Sequence, residues 1–352
     1  MLSSLDILTE ASRLRSGVPC SLADESPHSG HSHRVFKIVC EDSVIWAART
    51  SQDVSSWKNE LRAVKDFLHV KQHRPNIKAP DIYFRDDHPI IYSEWVGGAP
   101  LAVWNFLTPL IKRQRLLDDL ADFLLQLWTV PAPPASALAQ PLYSTWLTDS
   151  LDRGLRRTLA GTAKWGDAIN YLIMRSMISK YAEQFDSYSG IGFAHGDLNA
   201  YNIMKSDDFH LTGWVESVVD WDWMYLAPLP VIIHHPWFIA DIPGWKNDGV
   251  GDGDNFAEDR LFLENAIKSR ELSQQLPPVV STLLTGSEKR LFFQSAFHFK
   301  DIHENFVRLH CPRTEENIKA AKFQLAAVLS LYPELGCMEG PRTVRNLLED
   351  SF

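Results

Sequence analysis

The sequence predicts an α+β protein in two lobes, a small β-rich one followed by a larger helical one. Three observations carry that expectation. Strand-like segments crowd into the stretch 35–95, with one helix among them. After Gly98, apolar residues recur at three- and four-residue steps, the period of helices. The 352 residues also exceed what one compact core usually holds. Strands kept apart from helices, rather than alternating with them, argue against a doubly wound parallel sheet. The expected division is 1–96 for the first lobe and 97–352 for the second.

Residues 4–15 read as a short helix, with Leu5, Ile7, Leu8 and Leu14 near one face and Ser4 or Asp6 as its cap. The polar stretch 20–33 reads as a loop. Residues 35–40 and 44–49 form a hairpin around Glu41-Asp42-Ser43, a turn composition. Trp57, Leu61, Val64, Phe67 and Leu68 place an amphipathic helix over 57–70. Residues 82–84 and 90–95 are two further strands, ending at Gly97-Gly98. Helix 116–128 follows, then a proline-rich connector over 131–142. Residues 166–186 are helical. Strands 203–205 and 215–219 flank a polar turn, and 256–274, 288–310 and 314–332 complete the helical lobe. There is no internal repeat.

A composition of 45% hydrophobic and 22% charged residues excludes wholesale disorder. A net charge of −9 disfavours a general nucleic-acid binder, because phosphate neutralisation needs a basic surface. No apolar run reaches the ~20 residues that span a bilayer, and the first fifteen residues lack a signal-peptide core. Four scattered cysteines, with no C-x-x-C pair, suggest reduced thiols. The expectation is a cytoplasmic protein with no nucleic-acid or membrane partner.

Chemistry concentrates in His195-Gly196-Asp197-Leu198-Asn199-Ala200-Tyr201-Asn202-Ile203, followed by Val219-Asp220-Trp221-Asp222. An acid and an amide five residues apart suit phosphoryl transfer: the acid orients an attacking hydroxyl, and the amide oxygen is a hard ligand for Mg²⁺. Pairing of the strands on either side brings Asp220 toward Asn202. Read singly, Asp197 could as well cap a turn, Asn202 could begin a strand, and Asp222 rivals Asp220 for the metal.

These motifs resemble the aminoglycoside phosphotransferase-like (phosphotransferase enzyme) kinases, relatives of choline kinases and distantly of protein kinases. The resemblance implies a two-lobed protein-kinase-like fold and transfer of phosphate from ATP or GTP, with Mg²⁺, to a hydroxyl of a small molecule. It makes Asp197 the catalytic acid, Asn202 and Asp220 the metal ligands, and His195 a brace for the loop. Gly30-His31-Ser32-His33 corresponds to the phosphate-covering turn, with one glycine where relatives have three; Gly30 and Ser32 would meet the phosphates. Arg49 stands where protein kinases carry Lys, Glu60 matches its acidic partner, and the hinge at Ser93–Gly98 would read the base through Glu94 and Val96. Pro236-Trp237 and Glu258-Asp259-Arg260 resemble the filamentous-fungal branch of that family. A nucleotide-binding protein that has lost catalysis, and an interaction protein that binds no nucleotide, are the alternatives.

Two other clusters carry little. His298, His303, His310 and Cys311 lack the close helical spacing of zinc ligands. The acidic run holding Asp248, Asp252 and Asp254 lacks the alternate-acid register and closing Glu of a calcium loop, and reads as a solvated loop.

Overall fold

A computed structural model describes residues 4–30, 32–52, 55, 57–134, 141–188, 190–206, 215–245 and 256–350. The acidic run around Asp248, residue 31 of the glycine turn, residues 207–214 and the middle of the proline-rich connector lie outside the described residues. The architecture is α+β, with a sheet in the N-terminal region and helices in the C-terminal one. Contacts divide the chain into two compact units, Met1–Pro131 with Phe193–Tyr225, and Ala132–Gly192 with Leu226–Phe352.

In the first unit, α1 (Ser4–Leu14) is followed by β1 (Cys20–Leu22), β2 (His28–Ser29), β3 (His33–Cys40) and β4 (Ile45–Ser51). Helix α2 (Trp57–His73), β5 (Ile82–Arg85), β6 (His88–Glu94), β7 (Ala99–Pro100) and α3 (Leu110–Trp128) complete its N-terminal part. The sheet runs β1-β3-β4-β6-β5, with β2 also on β3, and its ladders are antiparallel. The stretch expected as a loop, 20–33, therefore contains two short strands. They are too short to show a period of two, and β3 supplies the hydrogen-bonding edge that orders them.

Ile7 and Ala11 of α1 pack on Ile38, Trp46, Ala48, Ile90 and Tyr92, and the Tyr92 hydroxyl donates to the Ile7 carbonyl at 2.8 Å. Each fully buried aliphatic side chain contributes roughly 1.5–3 kcal/mol, which docks α1 on the sheet. Cys20 and Cys40 are free and directly opposed across β1 and β3, with Sγ atoms 3.1 Å apart. Burial, then the neighbouring thiol, push Cys20 up to about 12.

A second, three-stranded sheet positions the chemistry: β7 pairs with β9 (Ile203–Lys205), which pairs with β10 (Val215–Val218). Gly98 makes that approach possible. It adopts φ +78°, and a Cβ there would lie 2.0 Å from the Lys205 carbonyl oxygen. Gly98→Ala is expected to lower stability by more than the ~1–3 kcal/mol of a strained backbone alone. A urea midpoint equal to wild type would show that the β7–β9 contact is not needed.

In the second unit, α4 (Tyr143–Leu159), α5 (Ala168–Ala182) and α11 (Glu315–Leu331) form the main packed group, with α12 (Glu339–Glu349) against α4 and α5. Asp167 caps α5 by accepting from Ile169 and Asn170 N–H. Before these last two come α6 (Leu229–Ile232), α7 (Ala257–Ser273), α8 (Val279–Leu284), α9 (Ser287–Ser295) and α10 (Lys300–His310). The single helix expected over 288–310 is two helices. The chain leaves helical geometry before α10, where Phe299 is extended, and no Gly or Pro marks the break. The buried guanidinium of Arg290 donates to the carbonyls of Pro230, Ile233 and Leu283, tying α9 to the segment around α6.

Candidate active site

Every residue singled out in the sequence for nucleotide, metal or catalysis lies in the first unit. Strand β8 (Ile191–Ala194) buries Phe193 and delivers the chain to His195, itself buried. Gly196 follows at φ +81°, with the place of a Cβ 2.0 Å from the Trp223 carbonyl oxygen, so only glycine fits this turn.

His195 braces two parts of the loop. Its Nε2 lies 2.9 Å from the Val219 carbonyl, and its Nδ1 accepts from the Asp197 backbone N–H at 3.3 Å. A carbonyl only accepts, so the bonding assigns the neutral tautomer with hydrogen on Nε2. Burial drives the imidazole down to about 4, against the opposing pull of Val219, Asp220 and Asp197. Unfolded His titrates near 6.5, so between pH 6.5 and 4 the unfolded chain binds more protons than the folded one. The contribution is complete above pH 6.5 and is lost as pH falls toward 4, up to about 3 kcal/mol. Urea midpoints should drop over that window, and His195→Gln should flatten the slope; an unchanged slope would remove His195 from the account. His234 is pushed down to about 4 as well, chiefly by burial, and adds to the wild-type slope.

Asp197 is held by two amides. Asn199 Nδ2 donates to its Oδ1 at 3.0 Å, and Asn202 Nδ2 donates to its Oδ2 at 3.1 Å and to its backbone carbonyl at 2.8 Å. The sequence reading missed Asn199. Its side chain also accepts from Tyr201 and Asn202 N–H, capping the 3₁₀ turn Ala200–Asn202; an Asn just before such a turn was the available signal. With Nδ2 on Asp197, the Asn202 Oδ1 faces away from that carboxylate.

The hairpin sets the second acid. Ile203 pairs with Val218, and Val219 N–H donates to the Asn202 carbonyl at 2.9 Å, so Asp220 comes one residue beyond the Asn202 register. Asp220 sits at φ +64°, a left-handed conformation that Asp tolerates better than most side chains. Trp221 turns inward, buried against Phe67, Phe123 and His195, with its indole N–H on the Val218 carbonyl. That anchor leaves Asp220 and Asp222 free to meet charged partners.

Those partners form a row. Arg49 Nη1 lies 3.4 Å from Asp220 Oδ1, and its Nη2 donates to Asp222 Oδ1. His33 Nδ1 is 3.2 Å from Asp222 Oδ2, and its Nε2 is 3.3 Å from Glu60 Oε2. Arg49 and Glu60 are thus joined through His33 and Asp222. Burial and then the Asp222 carboxylate push Asp220 above the ordinary carboxylate range, while Arg49 acts against both. The Arg49 Nε is a buried donor with no partner.

The glycine turn is the tip of the β2–β3 hairpin. Gly30 N–H donates to the His33 carbonyl, and the Gly30 and Ser32 carbonyls accept from the Gln52 side chain and backbone. Glu94 ends β6 opposite Trp46, and its side chain accepts from Asp81 N–H at 3.1 Å. Arg49 pairs with Ile91 three residues along the same ladder, roughly 10 Å away. Val96 takes part in no backbone hydrogen bond among the described residues. Also among them, no three His, Cys, Asp or Glu side chains cluster as a metal site, and no helix is long and apolar enough to cross a membrane.

Comparison with known proteins bears on the family and the fold. The model of the phosphotransferase enzyme family matches residues 25–229. Among solved structures, the ADP-bound aminoglycoside phosphotransferase APH(2'')-Ib superposes with a TM-score of 0.57 at 12% identity, covering 92% of this chain and 97% of the other. The streptomycin–ATP ternary complex of APH(2'')-IIa gives 0.55 at 14%, with 93% and 97% covered. The ethanolamine kinase of Plasmodium vivax gives 0.50 at 13%, with 92% and 84% covered. At such identities these likenesses speak to the fold. No curated protein matches the sequence, and nothing in the comparisons supports a fungal branch. A family model that spans more than half the chain, with both motifs inside it, places this protein in the phosphotransferase enzyme family.

Proposed function

We propose that the chain transfers the γ-phosphoryl group of ATP or GTP, with Mg²⁺, to a hydroxyl of a small molecule. The observation that carries this reading is the Asp197 carboxylate, both of whose oxygens are fixed by amides that belong to the same loop. Phosphoryl transfer asks chiefly for positioning and charge compensation, and a carboxylate so held can orient an acceptor hydroxyl and take its proton.

The remaining residues fit a metal–nucleotide complex. Asn202 Oδ1 and the Asp220 carboxylate are hard oxygen ligands of the kind Mg²⁺ takes alongside phosphate oxygens. Burial, and after it the Asp222 carboxylate, push Asp220 up, and a divalent cation beside it would favour the charged form against both. Mg²⁺, when bound, offsets charge on the phosphates. Arg49 has a buried, unpartnered donor suited to a phosphate oxygen, and its fork allows bidentate contact. The hairpin tip at Gly30 and Ser32 covers the phosphates, and the backbone groups of Val96, unpaired among the described residues and beside Glu94, receive the base. The structural neighbours include an ADP-bound aminoglycoside phosphotransferase and a streptomycin–ATP ternary complex, which agrees with this set of ligands. We assign nucleotide binding to Gly30, Ser32, Arg49, Glu94 and Val96 together with the metal ligands Asn202 and Asp220, and the protein to the cytoplasm.

One feature favours a second reading, nucleotide binding without turnover: Arg49 is engaged by Asp220 and Asp222 rather than standing clear of the acids. A screen of metabolite extracts for label transfer from γ-labelled ATP and GTP separates the two. Mg²⁺-dependent transfer, absent with Asp197→Asn, is expected. Thermal stabilisation by Mg-nucleotide with neither transfer nor slow hydrolysis would establish the second reading instead.

A further inference from the structure

We infer that His33 is a positioning residue that holds Asp222 so that Arg49 can leave it for the nucleotide phosphates. This rests on the proposed nucleotide chemistry and adds a residue to it.

His33 opens β3, opposite Ser51, immediately after the hairpin tip. Its two ring nitrogens face two carboxylates on different elements: Glu60 on α2, and Asp222 in the turn after β10. The three side chains are well covered, at 15, 8 and 12% exposure, so the contacts are little screened by water. An imidazole presents a nitrogen at each edge of a rigid ring and so lies against both acids, in proximity rather than by a second hydrogen bond, since the Nε2 beside Glu60 is buried without a hydrogen-bond partner. A lysine ammonium is one point, and a glutamine amide can donate from one side only.

Asp222 is shared. Arg49 occupies Oδ1 and His33 sits at Oδ2. If Arg49 were the only group facing Asp222, moving its guanidinium to a phosphate would strand a covered carboxylate, a costly outcome. With His33 in place, Asp222 keeps a partner when Arg49 departs. Glu60 at the other edge of the ring keeps the imidazole from following the arginine. His33 therefore acts on nucleotide affinity through Asp222, without touching the nucleotide itself.

The test is a double-mutant cycle read by isothermal titration with MgATP and MgGTP, alongside Tm of the free protein. His33→Ala is expected to weaken Mg-nucleotide binding about tenfold, within the range of contact couplings. In an Asp222→Asn background, where the acid no longer grips Arg49, the same change should cost less than twofold. His33→Gln, which restores one of the two contacts, should recover part of the affinity and serves if the alanine variant folds poorly. Equal effects of His33→Ala in both backgrounds would overturn the inference, because a purely structural loss adds independently. So would wild-type affinity in His33→Ala. A wild-type protein that binds neither Mg-nucleotide would overturn the functional reading, and this inference with it; wild-type binding with an additive cycle overturns the inference alone.

Discussion

Asp197→Asn is expected to fold and to lose ~10²–10⁴-fold in turnover, the range for removal of a general base. The substitution keeps the shape and removes the charge. It also replaces one carboxylate oxygen by an NH₂ group, and both oxygens now accept from amides, Asn199 at one and Asn202 at the other. Whichever way the new amide turns, it meets one donor with another, losing a hydrogen bond worth about 0.5–1.5 kcal/mol. A modest fall in Tm should therefore accompany the loss of activity, with nucleotide affinity little changed if, as proposed, Asp197 serves the acceptor rather than the nucleotide. The decisive measurement is label transfer from γ-labelled nucleotide by the folded variant. Turnover within threefold of wild type would remove Asp197 from the chemistry. A variant that loses nucleotide binding as well would place it among the metal ligands.

What the sequence made legible was local and periodic. The β3–β4 hairpin, α2, α3 and the β9–β10 pair carry their own alternation or helical period, and each is found near its expected place, although α3 begins at Leu110, six residues before the expected 116. The spacing of Asp197 and Asn202 was readable for a related reason, since one short turn sets it. Strands β1 and β2 were not, because two or three residues hold no period and their order comes from the edge of β3. The break before α10 lacks a helix breaker and becomes visible only when Phe297 and Ile302 are seen buried on either side of it. His33 was equally silent. One histidine in a polar stretch announces nothing until the β3–β4 register and the turn after Val218 set Asp222 and Glu60 on its two sides. Asp222, in the sequence a rival to Asp220 for the metal, meets two basic side chains that lie more than 170 residues earlier in the chain.

Asp220→Asn tests the metal half of the site, and its effect should be nearly as large. Asn accepts the left-handed backbone at φ +64° as readily as Asp, so the turn that carries the side chain is expected to persist. Removing the charge relieves the repulsion from Asp222 and forgoes the 3.4 Å contact with Arg49. These effects oppose each other, so free-protein stability should move by less than about 1 kcal/mol, as for a half-exposed ion pair. The cation has no such compensation. Loss of even a residue supporting a metal ligand costs roughly 10–100-fold in metal affinity, and a direct ligand should cost no less. Nucleotide affinity measured with and without Mg²⁺ should therefore differ for the wild type and converge for Asp220→Asn, with a fall in turnover of at least ~10²-fold. Asp222→Asn is the matched control. It removes a carboxylate from the same turn but one already committed to Arg49 and His33, so the Mg²⁺ dependence of nucleotide affinity should survive it. The reverse pattern, dependence lost with Asp222→Asn and kept with Asp220→Asn, would move the metal to Asp222 and turn Asp220 into the partner that steadies Arg49.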